Sequence, residues 1–334
     1  MLSIVKYNLY YIICGGILSL CGPVTCASKI LFEGKFGLVL EAFSDSGAAL
    51  VVKKIIHGGS QMYKEEHIAT FLSLGQGERS HVVTCFGFWT PNQRPEGLIF
   101  AREKLDLGCY IKKEGALSLN KVRQFARQLL EGLDFFTEKG IVHADIKPEN
   151  ILLSENEEVV KFTDFGLSFF AEERDRFFPV QTIYYRSPEV ILRKSYSYPI
   201  DVWGVAVIIA ELAIGRGIFW QTSECDMFAV QLHYAKREFS PEDVESFLPP
   251  VRVLFQKAYT KWAPVKPLEV TVREKSRAGD EEEAGIFLDL IQRGLRINQE
   301  ERGIPVNLLT HPFFSIIEGP ACKKQKIEKE DPVL

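Results

Sequence analysis

Three short strings, in a set order along this 334-residue chain, constrain it more than its composition does. They are His143-Ala144-Asp145-Ile146-Lys147-Pro148-Glu149-Asn150, Asp164-Phe165-Gly166 and Ser187-Pro188-Glu189. Any one alone is commonplace, but the three at these separations are not. Their residue types share a chemistry. Asn150 and Asp164 carry the hard oxygens that Mg²⁺ accepts, usually one or two from protein with waters and phosphate oxygens completing the shell. Asp145 offers a carboxylate that can take a proton from a hydroxyl within hydrogen-bond reach, and Lys147 offers a positive charge to a moving phosphate.

In order and content these strings resemble the catalytic loop, the metal-binding turn and the activation-segment anchor of eukaryotic-type protein kinases. The resemblance implies an α+β fold of two lobes, a small β-rich one with one main helix and a larger α-helical one. It also implies phosphoryl transfer from ATP with Mg²⁺, in which positioning and charge neutralisation do most of the work. Asp145 is then the catalytic base beside Lys147, and Asn150 and Asp164 are the metal ligands. Phe32-Glu33-Gly34-Lys35-Phe36-Gly37-Leu38-Val39 is similar to the glycine-rich loop, in which Gly34 and Gly37 let backbone N–H groups approach phosphates. It departs at Phe32, where the family pattern has its first glycine.

Leu50-Val51-Val52-Lys53 alternates into a lysine and reads as a strand delivering an ammonium to the nucleotide. A buried lysine needs a carboxylate, and two adjacent acids, Glu65 and Glu66, stand in the next helical pattern. Glu65 is preferred because Ile68, Ala69 and Leu72 then share its face at i+3, i+4 and i+7. Leu98 to Glu103 reads as a buried strand running into a hinge, with Phe100 as gatekeeper and the main chain of Ala101 to Glu103 facing the adenine edge. Val39 and Val51 from above and Leu152 from below would enclose the ring.

Thr182 and Lys147 together point to serine/threonine acceptors. Tyr185-Arg186-Ser187-Pro188-Glu189 resembles the segment of the group holding cyclin-dependent, MAP and dual-specificity tyrosine-regulated kinases, which implies proline-directed specificity. The form His143-Ala144-Asp145 is similar to the homeodomain-interacting kinases and the kinase interacting with stathmin. Ala144 stands where most kinases place the arginine that clamps a phosphorylated activation loop, so activity without an upstream kinase is expected. Asp201 is expected to support the catalytic loop, and Arg302 to pair with Glu189. A scaffold of the same fold without catalysis is the alternative, and Phe32 is the feature in its favour.

The likeness runs from about Thr25 to Phe314. The expected divisions are a hydrophobic extension at 1–24, a kinase domain at 25–316 (N-lobe 25–100, hinge 101–103, C-lobe 104–316) and a charged tail at 317–334. Apolar content of 46% and charged content of 25% are those of an ordinary globular chain. A net charge of −4 implies no broad nucleic-acid surface, and the resemblance implies proteins bearing serine or threonine as partners. The stretch from Glu238 to Gly285 reads as a solvated insertion. Seven scattered cysteines lack zinc-site spacing and suit reduced thiols. Tyr7 to Ser28 carries no charge and has the composition of a signal or anchor, although a first strand near Thr25 leaves little linker. Pro320-Ala321-Cys322-Lys323-Lys324-Gln325-Lys326 resembles a nuclear-import signal, and such clusters are more often merely solvated tail. The nucleus or cytoplasm is therefore the expected location, with a membrane or secretory route left open.

Overall fold

A computed structural model describes residues 24–34, 37–55, 59–74, 77, 80–91, 94–172, 180–221, 223–235, 252–253, 268–275 and 281–316. The expectations on 1–23, on Lys35 and Phe36, on Glu173 and on the tail at 317–334 lie outside the described residues. No helix among the described residues is long and apolar enough to cross a membrane.

The N-terminal part is a 5-stranded antiparallel sheet in the order β1-β2-β3-β5-β4. Its strands are β1 (Val24–Gly34), β2 (Gly37–Ser44), β3 (Ala49–Ile55), β4 (Cys85–Trp89) and β5 (Gly97–Ala101). Gly34 faces Gly37 at the β1–β2 turn, and Phe32 faces Val39. Directly opposed residues of an antiparallel pair point to one face, so the Phe32 ring stands on the same face as Val39. Helix α1 (Gly59–Leu74) lies between β3 and β4 in the chain, with Ile68, Ala69 and Leu72 fully buried.

The C-terminal part is helical. After β6 (Leu105–Asp106), α2 (Leu107–Glu114) begins where Asp106 accepts the N–H of Cys109 as its N-cap. In α3 (Leu119–Glu138) the buried residues Val122, Phe125, Ala126, Leu129, Leu130, Leu133 and Phe136 recur every three or four positions, forming one apolar stripe. Short strands β7 (Ile141–Val142), β8 (Ile151–Leu153), β9 (Val160–Phe162) and β10 (Phe169–Phe170) flank the loops that carry His143–Asn150 and Asp164–Gly166. A single turn α4 (Pro188–Ile191) leads to α5 (Pro199–Ile214), which is apolar and buried all round, as the central helix of a large core must be. At Gly204 a Cβ would come within 2.8 Å of the Ile146 Cβ, so the catalytic loop packs on α5 only because that position has no side chain. Helices α6 (Glu224–Ala235), α7 (Leu268–Lys275), α8 (Glu281–Gly294), α9 (Gln299–Arg302) and α10 (Pro305–Leu309) complete the lobe.

Two parts of the predicted solvated insertion differ from expectation. Residues 268–275 are helical, with Leu268 and Val272 buried in the core, so α7 contributes to the hydrophobic cluster instead of forming a solvated loop. The acidic run at Glu281–Glu283 is the first turn of α8, where negative charge is favoured by the helix dipole. Glu283 there pairs with Arg123 of α3 at 2.5 Å.

Candidate active site

The β3 lysine reaches two carboxylates from distant parts of the chain. Lys53 Nζ lies 2.5 Å from Glu65 Oε1 on α1 and 2.8 Å from Asp164 Oδ1. Glu66, the other acid considered, turns away and accepts the Thr70 hydroxyl at 3.0 Å. Burial opposes charge on Lys53, yet the two carboxylates outweigh it and hold the ammonium well above the usual lysine range. Burial pushes the Glu65 carboxyl up despite Lys53. At Asp164 burial also pushes upward, but Lys53 prevails and the carboxyl rests below its ordinary value.

Asp164 has left-handed backbone, φ +64, which turns its side chain back toward Lys53 while Phe165 is fully buried behind it. The Phe165 ring stands 5.3 Å from that of His143 and 6.1 Å from that of Phe136. His143 is itself fully buried, and burial pulls its imidazole below the usual value. Its Nε2 donates to the Thr163 carbonyl at 3.0 Å and its Nδ1 accepts the Asp145 N–H at 3.3 Å, a pattern that requires the neutral ring.

Beneath the catalytic loop, Asp201 of α5 accepts the N–H of His143 at 2.6 Å and of Ala144 at 2.9 Å. Burial raises this carboxyl to about 7 in spite of the two N–H donors. Ala144 is left-handed, φ +64, and those two bonds hold the bend that presents Asp145.

Asp145 is buried and accepts four side-chain or main-chain donors from three residues. Oδ1 takes the Thr182 N–H at 3.0 Å and its hydroxyl at 2.8 Å. Oδ2 takes Lys147 Nζ at 2.9 Å and Asn150 Nδ2 at 3.1 Å. Lys147 also reaches the Thr182 hydroxyl at 3.2 Å, so the expected base, the expected cation and the activation-segment threonine form a closed triangle.

The donor set suits a hard divalent cation. Asn150 spends its Nδ2 on the Asp145 carbonyl and carboxylate, and no described residue donates to its Oδ1. The Thr163 N–H bonds the Asn150 carbonyl at 3.0 Å, which brings Asp164 alongside. Only one Asp164 oxygen is held by Lys53, and its side chain is 42% exposed. One amide oxygen and one carboxylate oxygen are what Mg²⁺ takes from protein when phosphates supply the rest.

The three residues expected around an adenine ring sit on β2, β3 and β8. Val39, Val51 and Leu152 are half-buried, with Val39 opposite Lys53, Val51 opposite Phe100, and Leu152 opposite Asp106. Ala101 ends β5, its N–H bonded to the Thr84 carbonyl at 2.9 Å. Among the described residues no main-chain carbonyl takes the Glu103 N–H, while its side chain pairs with Lys161 at 2.6 Å.

Sequence reasoning missed one residue here. Gln181 has φ +65, and its carbonyl accepts Arg186 Nη2 at 2.9 Å and Nε at 3.3 Å. A left-handed glutamine has no local sequence signal.

The protein kinase domain profile matches residues 27–314. Among curated proteins, the chain is 28% identical over 318 positions to a putative dual specificity tyrosine-phosphorylation-regulated kinase 3 homolog of Drosophila melanogaster, covering 86% of this chain and 37% of that protein. It is 27% identical over 319 positions to the serine/threonine-protein kinase prp4 of Schizosaccharomyces pombe, covering 85% of this chain and 65% of that one. With the human dual specificity tyrosine-phosphorylation-regulated kinase 3 it shares 27% over 317 positions, covering 86% of this chain and 53% of the relative. The chain therefore spans between about a third and two thirds of the length of these relatives. With the profile covering most of its length, and Lys53 paired with Glu65 and Asp164 and Asn150 bonded to Asp145, the chain belongs to the protein kinase family.

Proposed function

We propose that this chain is an active serine/threonine protein kinase that phosphorylates protein hydroxyls followed by proline, using ATP and Mg²⁺. The observation that carries the reading is the simultaneous presence of the Lys53–Glu65 pair, the Lys53–Asp164 pair and the Asp145–Lys147–Thr182 triangle. Transfer requires the lysine–glutamate pair and the Asp164 carboxylate at the metal to be in place together. When bound, Mg-ATP would supply the phosphoryl group, with Mg²⁺ neutralising its charge. Lys53 binds phosphate oxygens while Glu65 holds its ammonium in position. Gly34 and Gly37 would bring main-chain N–H groups over the phosphates, and Asn150 Oδ1 with Asp164 would hold the metal. Asp145 Oδ2, aimed by Asn150, orients the acceptor hydroxyl and takes its proton, and Lys147 faces the developing charge.

The proline preference follows from Gln181. The acceptor hydroxyl must reach Asp145, so the next substrate residue passes over the Gln181–Thr182 stretch. The Gln181 carbonyl there is already taken by Arg186 and cannot accept a substrate N–H. A residue with an N–H leaves it unpaired on binding, whereas proline has none to lose. A peptide library with no enrichment of proline at that position would refute this.

Independence from loop phosphorylation is supported by what surrounds Ala144. Ala144 is fully buried in an apolar cluster with Val142, Phe169, Val180, Val190, Tyr196 and Ile200. Packing thus stands where a guanidinium would bind a phosphorylated loop. Phosphatase treatment should leave activity intact.

The scaffold reading is favoured by one observation, the 63% exposed Phe32 ring on the Val39 face. Labelled ATP with a basic protein substrate separates the two. Transfer by the wild type and none by Asp145→Asn supports the kinase, and no transfer by the wild type supports the scaffold. The catalytic unit is assigned to 25–316, and nuclear residence is assigned to Lys323–Lys326, to be tested by fractionation with these lysines changed to alanine.

A further inference from the structure

Arg102, Glu103 and Lys104, consecutive residues where the chain passes from one lobe to the other, alternate in charge, and each meets an opposite charge from a different part of the chain. Arg102 Nη1 lies 2.5 Å from Glu41 Oε1 on β2. Glu103 Oε1 takes Lys161 Nζ of β9 at 2.6 Å, and Lys104 Nζ lies 3.0 Å from Glu157 Oε1. The main chain divides in the same way. The Arg102 N–H donates to the Ala49 carbonyl of β3 at 3.4 Å, and the Lys104 N–H donates to the Leu153 carbonyl of β8 at 2.9 Å. The hold on the chain thus changes from the N-terminal sheet to the C-terminal lobe between Arg102 and Glu103.

Strand register shows where the Glu41 side chain goes. Glu41 lies opposite Val51, two residues along β2 from Val39, and Val51 lies opposite Phe100. Opposed residues of antiparallel strands, and residues two apart on one strand, point to one face. Glu41 therefore leaves the sheet on the face of Val39, Val51 and Phe100, which are the expected roof and gatekeeper of the adenine slot. Arg102 follows Phe100 by two residues, so the pair ties the roof strand to the hinge on the hinge side of that slot. The Glu41 side chain is 14% exposed, which shields the pair from solvent and salt more than a surface pair would be. Lys29, 3.5 Å from the same oxygen and largely exposed, adds a weaker, screened attraction. The hinge end is fixed, because the Glu103 carboxylate is buried and would be costly to leave without Lys161.

We infer that the Glu41–Arg102 pair is a strap on the hinge side of the nucleotide slot, holding β2 and the hinge at the spacing that grips the base and so slowing the departure of nucleotide. The inference rests on the ATP reading above and assigns nucleotide retention to two side chains apart from Lys53, Asn150 and Asp164. Glu41 and Arg102 are positioning residues. Without their bond, β2 is free to lift from the hinge and the roof valines lose their fixed height over the base.

The test measures Mg-ADP by calorimetry for Kd and by stopped-flow displacement of a fluorescent Mg-ADP analogue for the off-rate. It uses wild type, Glu41→Gln, Arg102→Gln, the double variant and Arg102→Lys, with thermal melts to check folding. Loss of one charge-assisted bond in a half-shielded pair should raise Kd and the off-rate roughly three- to ten-fold in either glutamine variant. The double variant should bind no worse than the weaker single, because both substitutions remove the same bond. Arg102→Lys, which keeps the charge, should stay closer to wild type. KM for a peptide substrate should not change and kcat should not fall, since the groups around Asp145 are untouched. Nucleotide Kd and off-rate within two-fold of wild type in both singles overturn the strap and leave the nucleotide reading standing. Additive losses in the double variant, a parallel loss of kcat and peptide KM, or unfolding of both singles also overturn it, since these are what independent or purely structural residues give. A wild type that binds no Mg-ADP overturns the nucleotide reading and the strap with it.

Discussion

Replacing Arg302 by methionine should destabilise the C-terminal lobe severely, and the structure shows from which contacts. Arg302 is 2% exposed and meets Glu189 through two parallel bonds, Nη1 to Oε1 at 2.7 Å and Nη2 to Oε2 at 3.0 Å. Its remaining donors go to the Pro199 carbonyl at 2.7 Å and to the Arg296 carbonyl at 2.8 and 3.0 Å, and its guanidinium lies 5.1 Å from the Trp203 ring centre. Methionine fills most of the volume but strands the Glu189 carboxylate. Removing one partner of a buried pair costs about 3–5 kcal/mol, and carbonyls left without donors add about 1–3 kcal/mol. Against a total stability of roughly 5–15 kcal/mol this is a large fraction. At about 2–4 °C per kcal/mol, the melting temperature should fall by roughly 8–32 °C. Differential scanning calorimetry of Arg302→Met, Glu189→Leu and the double variant measures it. The double variant removes the stranded charge but not the orphaned carbonyls, so it should recover part of the loss relative to Arg302→Met and not all of it. A fall of less than about 3 °C in Arg302→Met, or a double variant no more stable than that single, would refute the reasoning.

The other expectations are more local. Asp145→Asn should lower kcat by roughly 10²–10⁴-fold with little change in melting temperature, read by labelled phosphate transfer. Phe32→Gly removes a ring from the Val39 face and lets the strand approach the nucleotide, so KM for ATP should drop about 2–10-fold at unchanged kcat, and a rise in KM would count against the placement. Introducing the missing guanidinium, Ala144→Arg, forces a cation into the apolar cluster of Phe169, Val180 and Ile200 and should lower expression and melting temperature without creating phosphorylation dependence. Glu211 accepts the Tyr185 hydroxyl at 3.0 Å and the Ile218 N–H at 3.2 Å, and burial pushes its carboxyl up to about 7 from an unfolded value of 4.5. A folded value above the unfolded one means the native state holds a proton that the unfolded chain has lost. That contribution is full below about 4.5, falls as pH rises toward about 7 and is then gone. Glu211→Gln should flatten this part of the decline in melting temperature between those two pH values, and an unchanged slope would show that Glu211 does not titrate there.

The order and residue types of the loops were legible in the sequence because phosphoryl transfer demands particular groups on short stretches of chain. Lys53, Asp145, Asn150 and Asp164 supply an ammonium, a carboxylate, an amide and a second carboxylate, the groups that the resemblance led one to expect there. Periodicity was enough to prefer Glu65, since the face that carries Ile68 and Leu72 is set by the 3.6-residue turn. Tertiary structure decided the rest. The second partner of Lys53 lies 111 positions away, and nothing local distinguishes an Asp164 that reaches it from one that does not. Residues 268–275 looked solvated from their place in a polar insertion, yet burying Leu268 and Val272 against the core outweighs that composition. Gln181 and Ala144 adopt left-handed backbone because Arg186, Asp201, Ile200 and Ser187 over-determine them from other elements. Strain of that kind is stored by contacts distant in the chain, so only the folded arrangement shows which carbonyls are already taken.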